Sequence, residues 1–509
     1  MRKDQKLLIV QDLEGTHLSG IFQIGSNSTV HGEAHLERRN TLLQLTSSEP
    51  FDLYSVRGRS IHGSLHDLTK ISFIACIPNV GSWANERDEQ RNHHGSVYSD
   101  FVVLGNRHFE PDTMAVSTAR FVIDEASALF YDFDAFGMVL DPKRHIRRIA
   151  NANREVTQRA VKTGSSAQIL YFSGKRTVFS TKTAIGTISV NHNINFKVPD
   201  ANGLLLADKV SIDIDFSTGV DFQQAIERVL TVLHYMELMI GRPQFILELS
   251  INDKPRDVCP LPLKVYWAHA PARDPLGEGR RSHPGDVLIN GGIEPRAFAN
   301  TMRRWLGLQN RRSIARNRFS ESLSNQYHFH IDRLVGAANM FDLLAKDAKH
   351  PKKRLPKGLK VAKAQCVTIL RKLPTSDETA AVLQVLGEIG RRKLRDSIAD
   401  RAEIVNKALK GRLMEIDLVI REAVLCRNQF VHGTVKRVDY GVRSQHIPFF
   451  IEMLEFIFGT SELIEAGWDI AKWAGKGHGG THPFGNFLTG YLEHLTQLKK
   501  TLAETGRVR

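Results

Sequence analysis

The sequence has few cysteines and no long apolar segment. Four cysteines occur, far apart and without a CxxC pair: Cys76, Cys259, Cys366 and Cys426. Their spacing excludes a disulfide framework, a cysteine zinc site and a thioredoxin-like centre. No apolar run approaches the roughly 18 residues of a membrane span, and the run from Leu7 to Val10 is too short for a secretory signal. We therefore expect a cytoplasmic protein with no membrane partner.

The signatures of several enzyme classes are also absent. The chain has no GxSxG nucleophile elbow, no HExxH and no kinase signature set. The Gly-rich stretch 475–485 lacks a Walker A loop, because Ile470 stands where a Gly is needed and Gly477 where a Ser or Thr is needed. We expect His478 and His482 to lie in a surface loop there. Serine hydrolase, zinc protease, kinase and P-loop activities lack their local chemistry.

The composition is that of a folded protein with an uneven charge. Apolar residues make up 42% and charged residues 24% of the 509 residues, which excludes general disorder and allows roughly two to four domains. Residues 1–300 contain 33 basic and 34 acidic side chains, whereas residues 301–509 contain 36 and 21, a net charge of +15. Such a basic part indicates a polyanionic partner, because neutralised phosphates release their counterions.

Residues 1–300 have the pattern of a β-rich domain. Short β-branched and aromatic runs such as KISFIACIP and ARFVIDE alternate with turn residues, which predicts an antiparallel sandwich or barrel. Residues 84–96 are polar and aperiodic, so we expect a long loop with His93 and His94 solvated rather than bound to metal. A helix after Asp221 and a strand at PQFILELSIN follow.

Residues 301–509 are dominated by segments compatible with helices. They predict an α-helical bundle from about residue 320 onward, so the fold class is α+β multidomain, with a β-rich domain before an all-α one. A basic linker, residues 349–360, contains two prolines. Four of its side chains either clamp RNA phosphates or only solvate a loop: Lys352, Lys353, Arg354 and Lys357.

The segment EIDLVIREAVLCRNQFVHG is the strongest candidate for chemistry. Apolar residues at helical spacing form a stripe that Arg427 extends: Ile416, Ile420 and Val424. Gly433 suits the left-handed position that ends a helix. His432 is a candidate general acid or base, because imidazole titrates near neutral pH. Arg427 can bind phosphate oxygens, and Asn428 can orient the phosphate or the imidazole. These residue types suit metal-independent RNA cleavage through the 2′-hydroxyl.

The spacing between the arginine and the histidine has a geometric consequence. On a regular helix Arg427 and His432 are about 140° apart, so we expect a single chain to present them poorly. Two copies that meet across a helical face can build a composite site, which predicts at least a homodimer. The spacing alone has low specificity, since Arg57 and His62 also match it in a strand context, where we assign no chemistry.

At RNQFVH, residues 427–432, the chain resembles the HEPN superfamily of helical-bundle ribonucleases, whose motif is an Arg, often followed by Asn, and then a His. The layout, with IHGSL near residue 61 and LGNRHF near residue 104, looks like the ApeA subgroup of bacterial HEPN proteins. The resemblance implies a metal-independent endoribonuclease without a cofactor, active in abortive-infection defence against phage. It also implies that Arg427, His432 and Asn428 are catalytic at a dimer interface.

The same resemblance implies the roles of the two domains. Residues 1–300 would form an ApeA-like sensor or regulatory domain that answers a phage-derived trigger, and residues 301–509 the HEPN domain. The substrate would be RNA, with tRNA among the candidates, and assembly would occur through the HEPN domain.

Two other interpretations remain open. In the first, the bundle is an inactive HEPN module that binds RNA or nucleotide or mediates assembly. In the second, Arg427 is a buried structural cation paired with Asp332 or Glu422, and His432 caps the helix. Replacement of Arg427 by Ala would then cost roughly 3 to 5 kcal/mol of stability, whereas a catalytic arginine at a wet interface would cost far less.

Overall fold

The computed structural model describes residues 12–507 with several internal gaps. Residues outside the description are 1–11, 26–27, 88–89, 113–114, 201–202, 254–260, 272–280, 327, 345–354, 391–392, 434–437, 478 and 508–509. The described chain divides into two compact units, the first of residues up to Leu306 and the second of residues from Gly307. No helix in the described ranges is both long enough and apolar enough to cross a bilayer.

The first unit is built on a continuous antiparallel sheet of 14 strands. The strands of this unit are β1 (Thr16–Ile24), β2 (Ser28–Leu36), β3 (Leu42–Ser47), β4 (Ile61–Leu65), β5 (Lys70–Ile74), β6 (Ile77–Arg87), β7 (Gln90–Tyr98), β8 (Phe101–Gly105), β9 (Val116–Ile123), β10 (Phe136–Met138), β11 (Leu170–Phe172), β12 (Thr177–Thr183), β13 (Gly186–Asp200), β14 (Gly203–Val220), β15 (Ile246–Asn252) and β16 (Leu263–Trp267). The order in the large sheet is β12-β13-β14-β9-β15-β16-β8-β5-β4-β1-β2-β3-β7-β6, and β10 pairs with β11 separately. The predicted β-rich, antiparallel first part is confirmed.

Buried and exposed side chains alternate along the strands and define the inner and outer faces of this sheet. On β1, Phe22 and Ile24 are buried, whereas Ile21 and Gln23 are exposed. Glycines in the two neighbouring strands make room for the Phe22 ring. A β-carbon at Gly32 or Gly63 would lie 2.7 or 2.4 Å from that ring, so both positions require the smallest residue.

The prediction of a long loop over residues 84–96 is wrong. β6 and β7 form a hairpin in which Asn85 pairs with Asn92 and Glu86 with Arg91. Backbone hydrogen bonds of a hairpin form whatever the side chains are, so a polar arm shows no hydrophobic alternation in its sequence. His94 belongs to this hairpin, and its Nδ1 lies 3.2 Å from the Thr46 hydroxyl of β3.

In the described part of the first unit, these α-helices accompany the sheet: α1 (Ala126–Leu129), α2 (Lys143–Thr157), α3 (Phe222–Ile240) and α4 (Pro295–Gly307). α3 begins where the sequence predicts, because the Asp221 carboxylate accepts the Gln224 backbone N–H at 2.7 Å. Its apolar stripe through Val229, Leu233 and Met236 is buried. α2 has no buried residue and carries many basic side chains, and it was not predicted from the sequence.

The described secondary structure of the second unit is helical, which confirms the predicted bundle. Its α-helices are α5 (Gln309–Ser324), α6 (Ile331–Asp342), α7 (Lys357–Leu370), α8 (Asp377–Glu388), α9 (Leu394–Ala408), α10 (Ile416–His432), α11 (Ile447–Glu465), α12 (Ile470–Ala474) and α13 (Pro483–Arg507). α11 is buried along most of its length and contacts α5, α6, α9, α10 and α13. A helix apolar on all sides is the core of such a bundle.

The core of the bundle also contains buried ion pairs. Arg312, Arg316 and Arg401 donate to the Glu462 carboxylate of α11 at 2.5, 2.9 and 2.8 Å. Arg333 pairs with Glu455, one to two turns earlier on α11, at 2.8 Å. An unpaired buried charge is costly in free energy, so these ion pairs give the four arginines a structural role.

Candidate active site

α10 carries the RNQFVH segment, and its sequence explains how it is held. A stripe of buried residues at helical spacing faces the bundle: Ile416, Val419, Ile420, Ala423 and Cys426. Val424, which we expected on this stripe, is only half-buried. Arg427 therefore lies at the margin of the buried face and is itself half-buried.

The end of α10 is where the sequence predicts. Gly433 has a φ of 68°, and its backbone N–H donates to the carbonyl of Gln429 at 2.8 Å. A residue with a β-carbon is strained in this left-handed conformation, which accounts for glycine here. His432 is consequently the last residue of the helix, and its side chain is exposed.

The side chains of Arg427, Asn428 and His432 meet within one chain. Nη1 of Arg427 donates to Oδ1 of Asn428 at 3.1 Å and lies 3.5 Å from Nε2 of His432. The expectation that a single chain presents the pair poorly is therefore wrong. The long arginine side chain spans the angular gap that separates the two backbone positions.

A second amide, which was not predicted from the sequence, also contacts Arg427. Nη2 of Arg427 donates to Oδ1 of Asn339 on α6 at 3.3 Å. Asn339 follows the small residues Gly336, Ala337 and Ala338, which permit helices to approach closely. The sequence pattern predicts the helix, but it does not show which helix α6 meets.

The charge of Arg427 has no carboxylate partner among the described residues. Its hydrogen-bond partners there are neutral amide oxygens and the His432 imidazole, and its buried Nε has no hydrogen-bond partner. Glu422, a partner considered from the sequence, accepts instead from Arg421 at 3.0 Å and from the Tyr440 hydroxyl at 2.7 Å. The guanidinium thus differs from the four buried arginines of the bundle and can bind an anion.

Neighbouring side chains of this region have structural roles. Nε2 of Gln429 donates to Asp439 at 2.6 Å, and Oε1 of Gln429 accepts the Tyr440 backbone N–H at 3.0 Å, so Gln429 holds these two residues against the helix. Burial, followed by the charge of Glu422, raises the pKa of Tyr440 well above its ordinary value. Burial also raises the pKa of Cys426 to about 12, so this thiol is not a nucleophile at neutral pH.

The other predicted residues are not part of this cluster. Lys352, Lys353 and Arg354 lie outside the described residues. Lys357 is the exposed first residue of α7. His478 is likewise outside the description, and His482, expected in a surface loop, is buried and accepts the Phe484 backbone N–H at 3.1 Å.

The arrangement joins a cation, a proton-transfer group and amides on the exposed end of a rigid helix. A guanidinium can bind two oxygens of one phosphate at the same time. An imidazole that lies within hydrogen-bond distance of a bound hydroxyl can exchange a proton with it. The His432 imidazole is exposed at this helix end, so a large substrate can reach it.

Comparison with known proteins identifies the first unit. The sequence model of the family described as ApeA N-terminal domain 1 matches residues 17–305, which is more than half of the chain. The matched range includes the whole 14-stranded sheet except the first residue of β1. A comparison with curated proteins and one with solved structures found no match.

Proposed function

The chain belongs to the ApeA family, and from this premise we propose that it is a metal-independent endoribonuclease effector of anti-phage abortive infection. Family membership supports the defence role. The observation that carries the nuclease proposal is the Arg427 guanidinium, 3.5 Å from the His432 imidazole and without a carboxylate partner among the described residues. Within this proposal residues 1–300 are the sensor or regulatory domain, and residues 301–509 are the HEPN domain.

The proposed reaction is transesterification within RNA. His432 accepts the proton of a 2′-hydroxyl, whose oxygen then forms a bond to the adjacent phosphorus. Arg427 binds the non-bridging oxygens and stabilises the charge that develops on them, while Asn428 orients the phosphate or the guanidinium. The bond from phosphorus to the 5′-oxygen breaks, and that oxygen takes a proton. The products are a 2′,3′-cyclic phosphate and a 5′-hydroxyl end.

This chemistry favours a dimer. The reaction needs a base for the 2′-hydroxyl and an acid for the 5′-oxygen, whereas one imidazole adjoins Arg427 within the described chain. A second copy would supply the other imidazole. His432 is exposed and Val431 beside it exposes 42% of its surface, so this helix end is accessible to another chain.

The test is cleavage of RNA by the purified full-length chain and its variants. Wild type should release fragments with 2′,3′-cyclic phosphate ends without added divalent ions, and His432→Ala and Arg427→Ala should each lose activity by about a hundredfold or more. Arg318→Ala is the matched control, because Arg318 belongs to the same unit and makes an exposed ion pair with Glu321. It should cleave like wild type.

The outcome also separates the nuclease from an inactive module. If His432→Ala and wild type bind RNA equally and neither cleaves it, the bundle is a binding or assembly module and the nuclease proposal is wrong. Sedimentation of wild type tests the dimer independently. If a strictly monomeric chain cleaves RNA, a second copy does not supply the other imidazole.

A further inference from the structure

We propose that His17, Glu33 and His35 bind a divalent transition-metal ion of the zinc class. The three residues belong to the 14-stranded sheet of the first unit, and this inference does not depend on the proposed nuclease. Two imidazoles and one carboxylate form a common ligand set for Zn²⁺ and related ions.

The strand register brings the three side chains together. β1 and β2 are antiparallel, and His17 lies directly opposite His35. Glu33 precedes His35 by two residues, so it projects from the same face of β2. Buried residues on the other face of these strands, including Phe22 and Val30, hold this register, because a slip by one residue would expose them.

The distances between ligand atoms suit one ion. One ligand atom from each residue lies within 4.8 Å of the other two. Nδ1 of His17 is 3.4 Å from one Glu33 oxygen, and Nε2 of His35 is 3.9 Å from the other. Ligands at about 2.0 to 2.2 Å from a tetrahedral ion are about 3.4 Å apart, so small side-chain rotations close the set around a metal.

His35 provides a second, independent observation. Its Nε2 is buried and has no hydrogen-bond partner within the described part of the chain. A buried polar atom without a partner costs free energy, and a bond to a metal would satisfy it. The ring is also packed edge-on against His17, with the centroids 4.3 Å apart.

The charges around the group leave the carboxylate available. The residues that pair with Glu33 on both neighbouring strands are uncharged, Ser19 on β1 and Gln44 on β3. The His17 and Glu33 side chains are 53% and 46% exposed, whereas His35 is 21% exposed. The ion would therefore have three protein ligands and an outward position for water or for a ligand from a partner.

The experiment is metal binding by the full-length chain after treatment with a chelator. Calorimetric titration with Zn²⁺ and visible absorption with Co²⁺ should both show a site in wild type. His17→Ala and Glu33→Gln should each lose it. His31→Ala is the matched control, because His31 is an exposed histidine of β2 outside the group, and it should keep the site.

Thermal unfolding gives a readout that adventitious binding does not reproduce. An ion that joins β1 to β2 binds the folded state alone, so Zn²⁺ should raise the unfolding temperature of wild type and of His31→Ala but not of Glu33→Gln. Glu33→Gln is nearly isosteric and should fold even if a histidine variant does not. Equal Zn²⁺ binding and equal temperature shifts in wild type and Glu33→Gln would overturn the proposal.

Discussion

Asn339 on α6 accepts a hydrogen bond from Arg427 on α10 at 3.3 Å, so an uncharged oxygen from a second helix positions the guanidinium. An amide oxygen orients a guanidinium without neutralising it, whereas a carboxylate does both. Arg401 shows the contrast, because its partner is the buried carboxylate of Glu462. The bundle therefore contains buried arginines that are neutralised by ion pairs, whereas no carboxylate among the described residues neutralises Arg427.

Asn339→Asp should slow the proposed nuclease while keeping the fold. The new carboxylate would pair with Arg427 and compete with phosphate, so we expect kcat/KM for RNA cleavage to fall by about tenfold or more, or ~1.4 kcal/mol. Initial rates and thermal unfolding should be measured together. Unchanged cleavage by a well-folded Asn339→Asp would show that the charge of Arg427 is not used.

Arg427→Ala and Arg401→Ala should differ in stability. Arg401 is buried and pairs with Glu462 and Glu465, so its removal should cost roughly 3 to 5 kcal/mol. Removal of Arg427, which breaks no ion pair with a described residue, should cost about 1 kcal/mol or less. Denaturant unfolding of both variants measures these two losses of stability. A loss as large for Arg427→Ala as for Arg401→Ala would identify Arg427 as a structural cation.

Gly433→Ala should affect activity beyond its effect on stability. Gly433 has a φ of +68° with no atom of the described residues within 4 Å of a new β-carbon, and the same holds for Gly411 with a φ of +82°. Alanine at either position should cost about 1 kcal/mol, because only the backbone is strained. Gly411→Ala is therefore the matched control. Gly433→Ala alone should slow RNA cleavage, since His432 directly precedes it, and equal rates for the two variants would contradict this.

Glu237→Gln should remove part of the pH dependence of stability. Burial raises the pKa of Glu237 to about 8, from an ordinary value of 4.5. Between these pH values the folded chain keeps a proton that the unfolded chain has released, so stability is lost as pH rises through this window. The loss for this group is at most roughly 5 kcal/mol over the whole window, at about 1.4 kcal/mol for each pH unit.

A glutamine at position 237 keeps an oxygen that can accept the Gln244 backbone N–H, now 2.9 Å from Glu237, and it does not ionise. Glu237→Gln should therefore be more stable than wild type at pH 8 and little different near pH 4.5. Thermal unfolding of both chains across this range is the measurement. Parallel profiles for the two chains would show that Glu237 ionises normally.

Local patterns predicted the elements that depend on local interactions. The stripe of apolar residues and Gly433 predicted both α10 and its end, and the change of period after Asp221 predicted α3, because helix ends and periodicity depend on interactions within a few residues. α2 was missed because it buries no side chain and so has no apolar face directed to a core. The β6–β7 hairpin was missed because its arms are polar.

The sequence by itself determined the helix that carries Arg427 and His432 and the β-rich and helical character of the two parts. Only the tertiary structure decided what surrounds Arg427. Asn339 is 88 residues away along the chain, and Glu422 is occupied by Arg421 and Tyr440. The register of β1 on β2 likewise decided that His17 joins Glu33 and His35. Such contacts depend on which helices and strands pack together, and a pattern within one segment contains no information about the segment it packs against.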